Sequence, residues 1–449
     1  MKFDSLIVGG GLAGLVCGIR CAQAGLKTGL VSRGESGLAF ASGTIDVLGF
    51  DQDGSVLQNP FAGIEPLVTQ NPDHPYSKVG LGCVVDAVNW FQQLSVEMEM
   101  SYQPLADGAN HQRFTALGAF RPTYLSPSSM SRLPVIQTAD PIKRLAVVNI
   151  EGFRDFQSEL AASNLQKQPE FAGVDIISKT IRLPASIMGH RDPNTMRSVE
   201  LSRQLDNEPA MSVLAHTLKA AIGEVELVLI PSVLSMDHGI ERTRQLSELS
   251  GYPICELATL PPSLPGIRLS NRLQRRFNRL GGLMIAGDHV QSGVIADGRI
   301  QSFSTHNNSQ MPLTADHVVL ATGSFMSSGL VADRNKIREA IFDLDVNTQL
   351  SRTEWANEKF LNGKAHAFAG FGVVTDEQLR PRKAGETIGN LYCIGSLLGH
   401  AQPVEESSAG GIAIATGWSV AENIIQLSQI KKRQLKKSQA KSGAYDYVC

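Results

Sequence analysis

Apolar residues along the chain alternate between short continuous runs and longer stretches of helical period, which is the pattern of an α/β fold with buried parallel strands. Phe3 to Val8 reads as a short buried strand, Leu12 to Ala24 as a helix with small residues on one face, and Lys27 to Ser32 as a second strand after Gly25 stops the helix. Leu283 to Ala286, His289 to Val294 and Ile300 to Thr305, the last after the turn Asp297-Gly298, are further short strands. Asp316 to Leu320 and Asn390 to Ile394 are two more, and Ser407-Ser408-Ala409-Gly410-Gly411 opens a helix that runs through Ala421. Leu145 to Ile150 with the helical pattern after it, and Val225 to Val233, suggest a second α/β layer.

The residues at strand ends carry the candidate chemistry. Gly9-Gly10-Gly11-Leu12-Ala13-Gly14 is GxGxxG placed directly after a strand and opening a helix. Gly9 makes the tight turn, Gly11 lets the backbone approach a phosphate, and Gly14 permits close helix–strand packing; the phosphate then sits on free N–H groups at the helix start. After the second strand a carboxylate normally holds the adenosine ribose, yet Ser32-Arg33-Gly34-Glu35 stands there. The ligand is therefore a mononucleotide such as FMN with Arg33 meeting phosphate, or FAD held through a neutral ribose contact. In Phe40 to Asp46, the small and hydroxylated Ser42, Gly43 and Thr44 suit contact with a flat ring or its ribityl chain. Two later strands run into Ala321-Thr322-Gly323-Ser324 and Gly395-Ser396, leaving room at C-terminal strand ends, where open α/β sheets place ligands. The helix start at Gly410 and Gly411 suits the pyrimidine end of a reduced flavin, because its partial positive charge offsets negative charge there.

At 449 residues the chain exceeds one ordinary core, so two interleaved domains are expected. The Rossmann-like flavin-binding domain, with its parallel sheet, takes 1–55, 261–330 and 386–430. An α/β substrate or cap domain takes 56–260 and returns at 331–385, and 431–449 is a flexible tail with six basic residues. The boundary near 260 rests on three prolines in 261–265. Ile267 to Leu280 has an amphipathic pattern with five arginines, read as a solvated helix face.

Composition narrows the classes. Lys plus Arg number 41 against 43 Asp plus Glu, so the basic surplus a nucleic-acid binder needs is missing. Cysteines 17, 21, 83, 255, 393 and 449 form no CxxC pair and no zinc or iron–sulfur spacing, so no metal site is expected on this chain. The N-terminal apolar run lacks a small-residue cleavage site and is not read as a signal peptide, and no apolar stretch reaches the roughly 18 residues that span a bilayer.

Strand–GGGLAG–helix, ATGSF and NLYCIGSLLG together resemble the two-dinucleotide-fold flavoproteins. FDSLIVGGGLAGLVCGI, SRGESGLAFASGTIDVL, HPYSKVG, TLPPSLPGIRLSNRLQRRFNRLGG, ATGSFMSSGLVADRNKIREAIFDLDV and FGVVTDEQLRP narrow this along nearly the whole chain. They resemble the B subunits of anaerobic glycerol-3-phosphate dehydrogenases. The resemblance implies oxidation of sn-glycerol 3-phosphate to dihydroxyacetone phosphate, with FMN as cofactor and FAD as the alternative. It also implies a flavoprotein A subunit, an iron–sulfur C subunit, electrons passing to quinone and on to fumarate or nitrate, and a cytoplasmic place at the inner membrane held through partners. A phosphate clamp is then needed, and Arg334 and Arg338, four apart in VADRNKIRE, could share one helix face. His366 and His400 fall near the right segments for a base, but neither is assigned, and a non-catalytic electron-relay or scaffold role stays open.

Overall fold

A computed structural model describes residues 1–130, 142–188, 195–348, 351–360 and 365–443, with side chains as far as 434. β1 (Lys2–Val8) leads through α1 (Leu12–Gln23) to β2 (Thr28–Ser32), which pairs parallel with β1. α2 (Pro60–Gln70) starts where the Asn59 side chain accepts the Phe61 and Ala62 N–H groups and Pro60 presets the first turn. α3 (Pro75–Val79) and α4 (Leu81–Glu97) follow, and Ile64, Leu67, Tyr76, Val84, Phe91 and Leu94 bury into the same core as β1 and α1. The boundary expected at 55/56 is thereby displaced: the segment through Leu125 packs with the first domain. The antiparallel hairpin of β3 (His111–Phe114) and β4 (Phe120–Thr123) bridges two cores, with Phe114 in the second and Tyr124 and Leu125 in the first.

The second unit has a core of its own. It runs β5 (Arg144–Ile150), α5 (Ser158–Leu165), β6 (Asp175–Ile181), α6 (Ala185–Met188), α7 (Ser198–Gln204), α8 (Glu208–Ile222), β7 (Leu227–Pro231), α9 (Gly239–Ser250) and β8 (Ile254–Leu257). Its four strands are parallel, in the order β6-β5-β7-β8. β5 and β7 are almost wholly apolar because helices cover both faces of such a sheet.

α10 (Leu264–Arg279) returns the chain to the first domain, followed by β9 (Leu283–Ala286), the hairpin β10 (Val290–Ala296) and β11 (Arg299–Thr305), and β12 (Thr314–Leu320). Hairpins β13 (Leu330–Ala332) with β14 (Ile337–Glu339), and β15 (Arg382–Lys383) with β16 (Glu386–Thr387), precede β17 (Leu391–Cys393) and α11 (Ala409–Gly443). The main sheet is parallel in the order β17-β12-β1-β2-β9.

Three expectations change here. Residues 331–385 do not return to the second unit, since Ile337, Phe342, Leu344, Phe371, Val373 and Leu379 join the first core. Apart from exposed Arg279, the arginines of α10 are not a free solvated face. Arg268 is buried and ion-paired with fully buried Glu256, while Arg272, Arg275 and Arg276 pair with Glu99, Asp237 and Glu97. The basic tail starts as ordered helix, α11 continuing through Gly443 with Lys431 Nζ 2.7 Å from Asp316 Oδ2; residues 444–449 lie outside the described residues. Among the described residues no helix is long and apolar enough to cross a membrane, and no cluster of His, Cys, Asp or Glu could hold a metal ion.

Candidate functional site

The register of the main sheet brings the chain's small residues to one edge. Val8 pairs across to Leu320 and Val31, Leu320 to Cys393, and Ser32 to Ala286, so all five strands end together. The loops leaving these ends therefore meet. Gly9 has φ +122°, a region only glycine enters freely, and a Cβ there would lie 2.1 Å from the Ala321 carbonyl oxygen. A Cβ on Gly10 would meet Ser32 Oγ at 2.7 Å, on Gly395 the Ala13 methyl at 2.8 Å, and on Gly14 the Gly9 carbonyl oxygen at 2.0 Å. Gly11 differs, because a Cβ there would have nothing within 4 Å. Gly11 thus borders open space at the start of α1, where unpaired N–H groups face an incoming anion. At the neighbouring strand end, Thr322 Oγ1 is buried without a hydrogen-bond partner, a group left for a ligand to satisfy. Gly323, Gly395 and Ser396 lie beside it, and the Gly395 N–H donates to Thr416 Oγ1.

The loop 42–46 is tied together by its own side chains and to the start of α11. Ser42 Oγ is 2.8 Å from Thr44 Oγ1, Thr44 Oγ1 donates to Asp46 Oδ1, and Ser407 Oγ donates to Asp46 Oδ2. Gly43 is buried where a Cβ would run into Pro265, and the Tyr102 hydroxyl donates to its carbonyl, so its smallness serves packing on α10. Gly410 and Gly411 bring the first turn of α11 against 45–47, where the Gly411 N–H donates to the Asp46 carbonyl at 2.8 Å.

Beyond this loop lies a cavity of about 1060 Å³, walled by Leu48, Phe50, Asn71, His400, Gln402 and Glu406 among others. Glu406 is held by three donors: Gln402 N–H at 2.8 Å, Ser408 Oγ at 2.6 Å and His74 Nε2 at 3.3 Å. The Tyr76 N–H donates to His74 Nδ1, which fixes the proton on Nε2. Burial works to raise the Glu406 pKa, but the hydrogen bonds and His74 outweigh it and hold the carboxyl below its usual range. Gln402 Oε1 is buried with no partner.

The two histidines separate clearly. His366 stacks between Phe360 and Phe368, its Nδ1 accepting from the Asn357 N–H and its Nε2 donating to the Phe360 carbonyl, so both ring nitrogens are used in packing. His400 lines the cavity. Its backbone takes φ +67°, fixed by its N–H donating to Gly370 and its carbonyl accepting from Asn71 Nδ2. Burial pushes its pKa below the ordinary histidine value.

Residues 4–412 match the family described as FAD binding domain. The B subunit of the anaerobic glycerol-3-phosphate dehydrogenase of Vibrio cholerae is 38% identical over 427 residues, covering 95% of this chain and 97% of that protein. Its counterpart in Aliivibrio fischeri is 36% identical, covering 96% of each chain. This chain belongs to the B-subunit family of anaerobic glycerol-3-phosphate dehydrogenases. Among solved structures, a 3-ketosteroid Δ1-dehydrogenase from Sterolibacterium denitrificans superposes with a TM-score of 0.44 at 11% identity, over 95% of this chain and 99% of that one.

Membership in an FAD-binding family makes flavin the cofactor class and removes the first place given to FMN. The physical reason is that a missing carboxylate deletes one ribose contact and closes no space: Ser32 is half-buried and Arg33 and Gly34 are exposed at an open strand end. The proposed clamp of Arg334 and Arg338 fails on geometry. Asp333 Oδ1 accepts the Asn335 and Lys336 N–H groups, closing a turn between β13 and β14, so Arg334 sits at an exposed hairpin tip and Arg338 on a strand opposite Val331. Glu339 is buried, accepting from the Ile341 and Phe342 N–H groups, and is no partner for them either. Sequence reasoning missed the His74–Glu406 pair and the arginines of the β3–β4 hairpin. The readable signal for the latter was RFTALGAFR, two short strand-like pieces around Gly118 with an arginine on each.

Proposed function

We propose that this chain is the flavin-bearing B subunit of an anaerobic glycerol-3-phosphate dehydrogenase, with FAD as the flavin. It oxidises sn-glycerol 3-phosphate to dihydroxyacetone phosphate. Electrons leave through a flavoprotein A subunit and a membrane-docking iron–sulfur C subunit to quinone. The observation that carries the reading is Gly11 standing open at the start of α1, near the unsatisfied hydroxyl of Thr322, in a chain of which 95% matches its Vibrio cholerae relative.

The residues that would hold the flavin are Gly9 to Gly14 at its phosphates, Ser32 and Arg33 toward the adenosine, Thr322, Gly323, Gly395 and Ser396 along its length, and Ser42 and Thr44 with Gly410 and Gly411 toward the ring. A bound flavin supplies the acceptor for the hydride from the alcohol carbon. His400, neutral at pH 7 because burial lowers its pKa, takes the hydroxyl proton. Glu406, fixed by His74, Ser408 and Gln402, keeps a negative charge on the cavity wall, and Asp73 favours the imidazolium once it forms. Apolar Leu48 and Phe50 limit water there.

Anaerobic addition of glycerol 3-phosphate to the assembled complex, with the chain's own flavin released by acid and identified by mass, tests both halves. Bleaching of the flavin absorbance and release of FAD are expected. A colourless chain, or flavin that stays oxidised with all partners present, overturns the reading.

A further inference from the structure

The cavity has no lysine or arginine among the described residues that line it, whereas four carboxylates, Asp51, Asp53, Glu405 and Glu406, do. Its walls alone therefore repel a phosphate dianion. Cations sit instead on the hairpin that bridges the two cores, where Arg121 packs on the wall residue Phe50 and Arg113 is its cross-strand neighbour. β3 and β4 pair antiparallel with Arg113 directly opposite Arg121, and like charges so placed oppose pairing.

Among the described residues nothing answers the Arg113 charge by contact. Its guanidinium makes no hydrogen bond or ion pair with any described residue, and its Nε is sealed from solvent with no partner. Burial pulls its pKa down and Asp46 pulls it back, but an arginine stays charged in proteins. Asp46 is already engaged by the Thr44 and Ser407 hydroxyls. Arg113 is half-buried, and a cation partly withdrawn from water without a hydrogen-bonded counter-charge carries a desolvation cost that a bound anion would offset.

Arg121 is held in place at the same corner. Its guanidinium lies 5.3 Å from the centre of the Phe50 ring and donates to the Val404 carbonyl. Phe50 itself lines the cavity. The hairpin is fixed at both ends: Thr123 Oγ1 donates to the Ile45 carbonyl, and Gly118 at the tip packs on the Ala161 backbone. The first turn of α11 adjoins through Asp46, adding the positive end of a helix dipole.

We propose that Arg113 and Arg121 form the binding site for a phosphate monoester dianion at the edge of the cavity. Resting on the function proposed above, that monoester is the phosphate of glycerol 3-phosphate. The second arginine and the helix end favour a doubly charged tetrahedral group over a carboxylate, and forked guanidinium donors fit its oxygens.

The test titrates the flavin-loaded chain by calorimetry with inorganic phosphate, glycerol 3-phosphate, glycerol and succinate, and repeats it with Arg113→Met and Arg121→Met. Retained flavin confirms that each variant has folded. Phosphate and glycerol 3-phosphate are expected to compete for one site while glycerol and succinate do not, and each variant weakens phosphate binding by about tenfold or more. Unchanged phosphate affinity in both folded variants overturns the site, and succinate binding as tightly as phosphate overturns the ligand class. These outcomes differ from those that decide the dehydrogenase activity. Arginine-dependent phosphate binding with no flavin bleaching in the full complex keeps this anion site and sinks the dehydrogenase; bleaching with an unaltered KM in both variants does the reverse.

Discussion

Gly11 and Gly14 stand three residues apart, and a side chain added to each meets a different obstacle. At Gly14 a Cβ runs into the Gly9 carbonyl 2.0 Å away, so α1 must leave β1. At Gly11 it meets no protein atom, and the backbone there, at φ −80° and ψ −175°, suits any residue. Gly11→Val is therefore expected to fold with an unchanged melting temperature in the flavin-free form and to purify without flavin. Full retention of the yellow chromophore would remove Gly11 from the phosphate site. His400 makes the second argument at this scale. Its pKa lies below the ordinary histidine value, so the proton-accepting form dominates above that point and is lost below it. The rate kcat/KM of the complex should rise with pH through an inflection under about 6.5 and then level off. His400→Asn should abolish that limb and lower kcat by roughly 10²- to 10⁴-fold. A pH profile that survives the substitution assigns the proton transfer elsewhere.

Among the elements, α10 separates what a pattern can say from what it cannot. Apolar residues at helical spacing identify the helix and the face that Leu269, Leu273 and Phe277 bury. The other face carries arginines whether it looks at water or at carboxylates, and here it looks at Glu97 and Glu99 of its own domain and at Asp237 and Glu256 of the second. Burial differs sharply along it. The Arg268 and Glu256 side chains are 7% and 0% exposed, with further bonds from Arg268 to the Leu234 and Ser235 carbonyls. Glu256→Gln leaves that guanidinium without its ion partner and is expected to cost about 3–5 kcal/mol, whereas Arg275→Ala, at a half-exposed pair, should cost about 0–1 kcal/mol. Equilibrium urea unfolding of both variants measures the contrast, and equal losses would mean burial is not what sets it. VADRNKIRE failed for a related reason. An i,i+4 arginine pair suggests a helix, but Asp333 followed by Arg334-Asn335-Lys336 forms a side-chain-to-backbone turn that competes with helical bonding, and the hairpin wins.

For the whole molecule, the parallel sheet and its glycine edge were legible because strand, turn and helix lie close together in the chain and each constrains the next. Domain membership was not. Residues 60–125 look like any other α/β sequence, and whether α2 to α4 pack on the first sheet or the second depends on partners far along the chain, such as the Asn71–His400 and His74–Glu406 bonds. The arginine corner was hidden by the same distance, since Arg121, Phe50 and Val404 meet only after the chain has crossed both units. Two separate cores joined by the β3–β4 hairpin and the α10 ion pairs also have a thermal consequence. A ligand that binds only the folded first domain stabilises that domain by RT ln(1 + [L]/Kd), about 2.7 kcal/mol at a hundredfold excess over Kd, and acts on the second only through the joint. Weakening the joint with Glu256→Gln should therefore split the melt in calorimetry, with added FAD raising the transition of the first core and leaving that of the second where it was. A single transition that moves as one with FAD in this variant would show that the hairpin alone couples the two cores, and that the α10 ion pairs position the domains without transmitting stability between them.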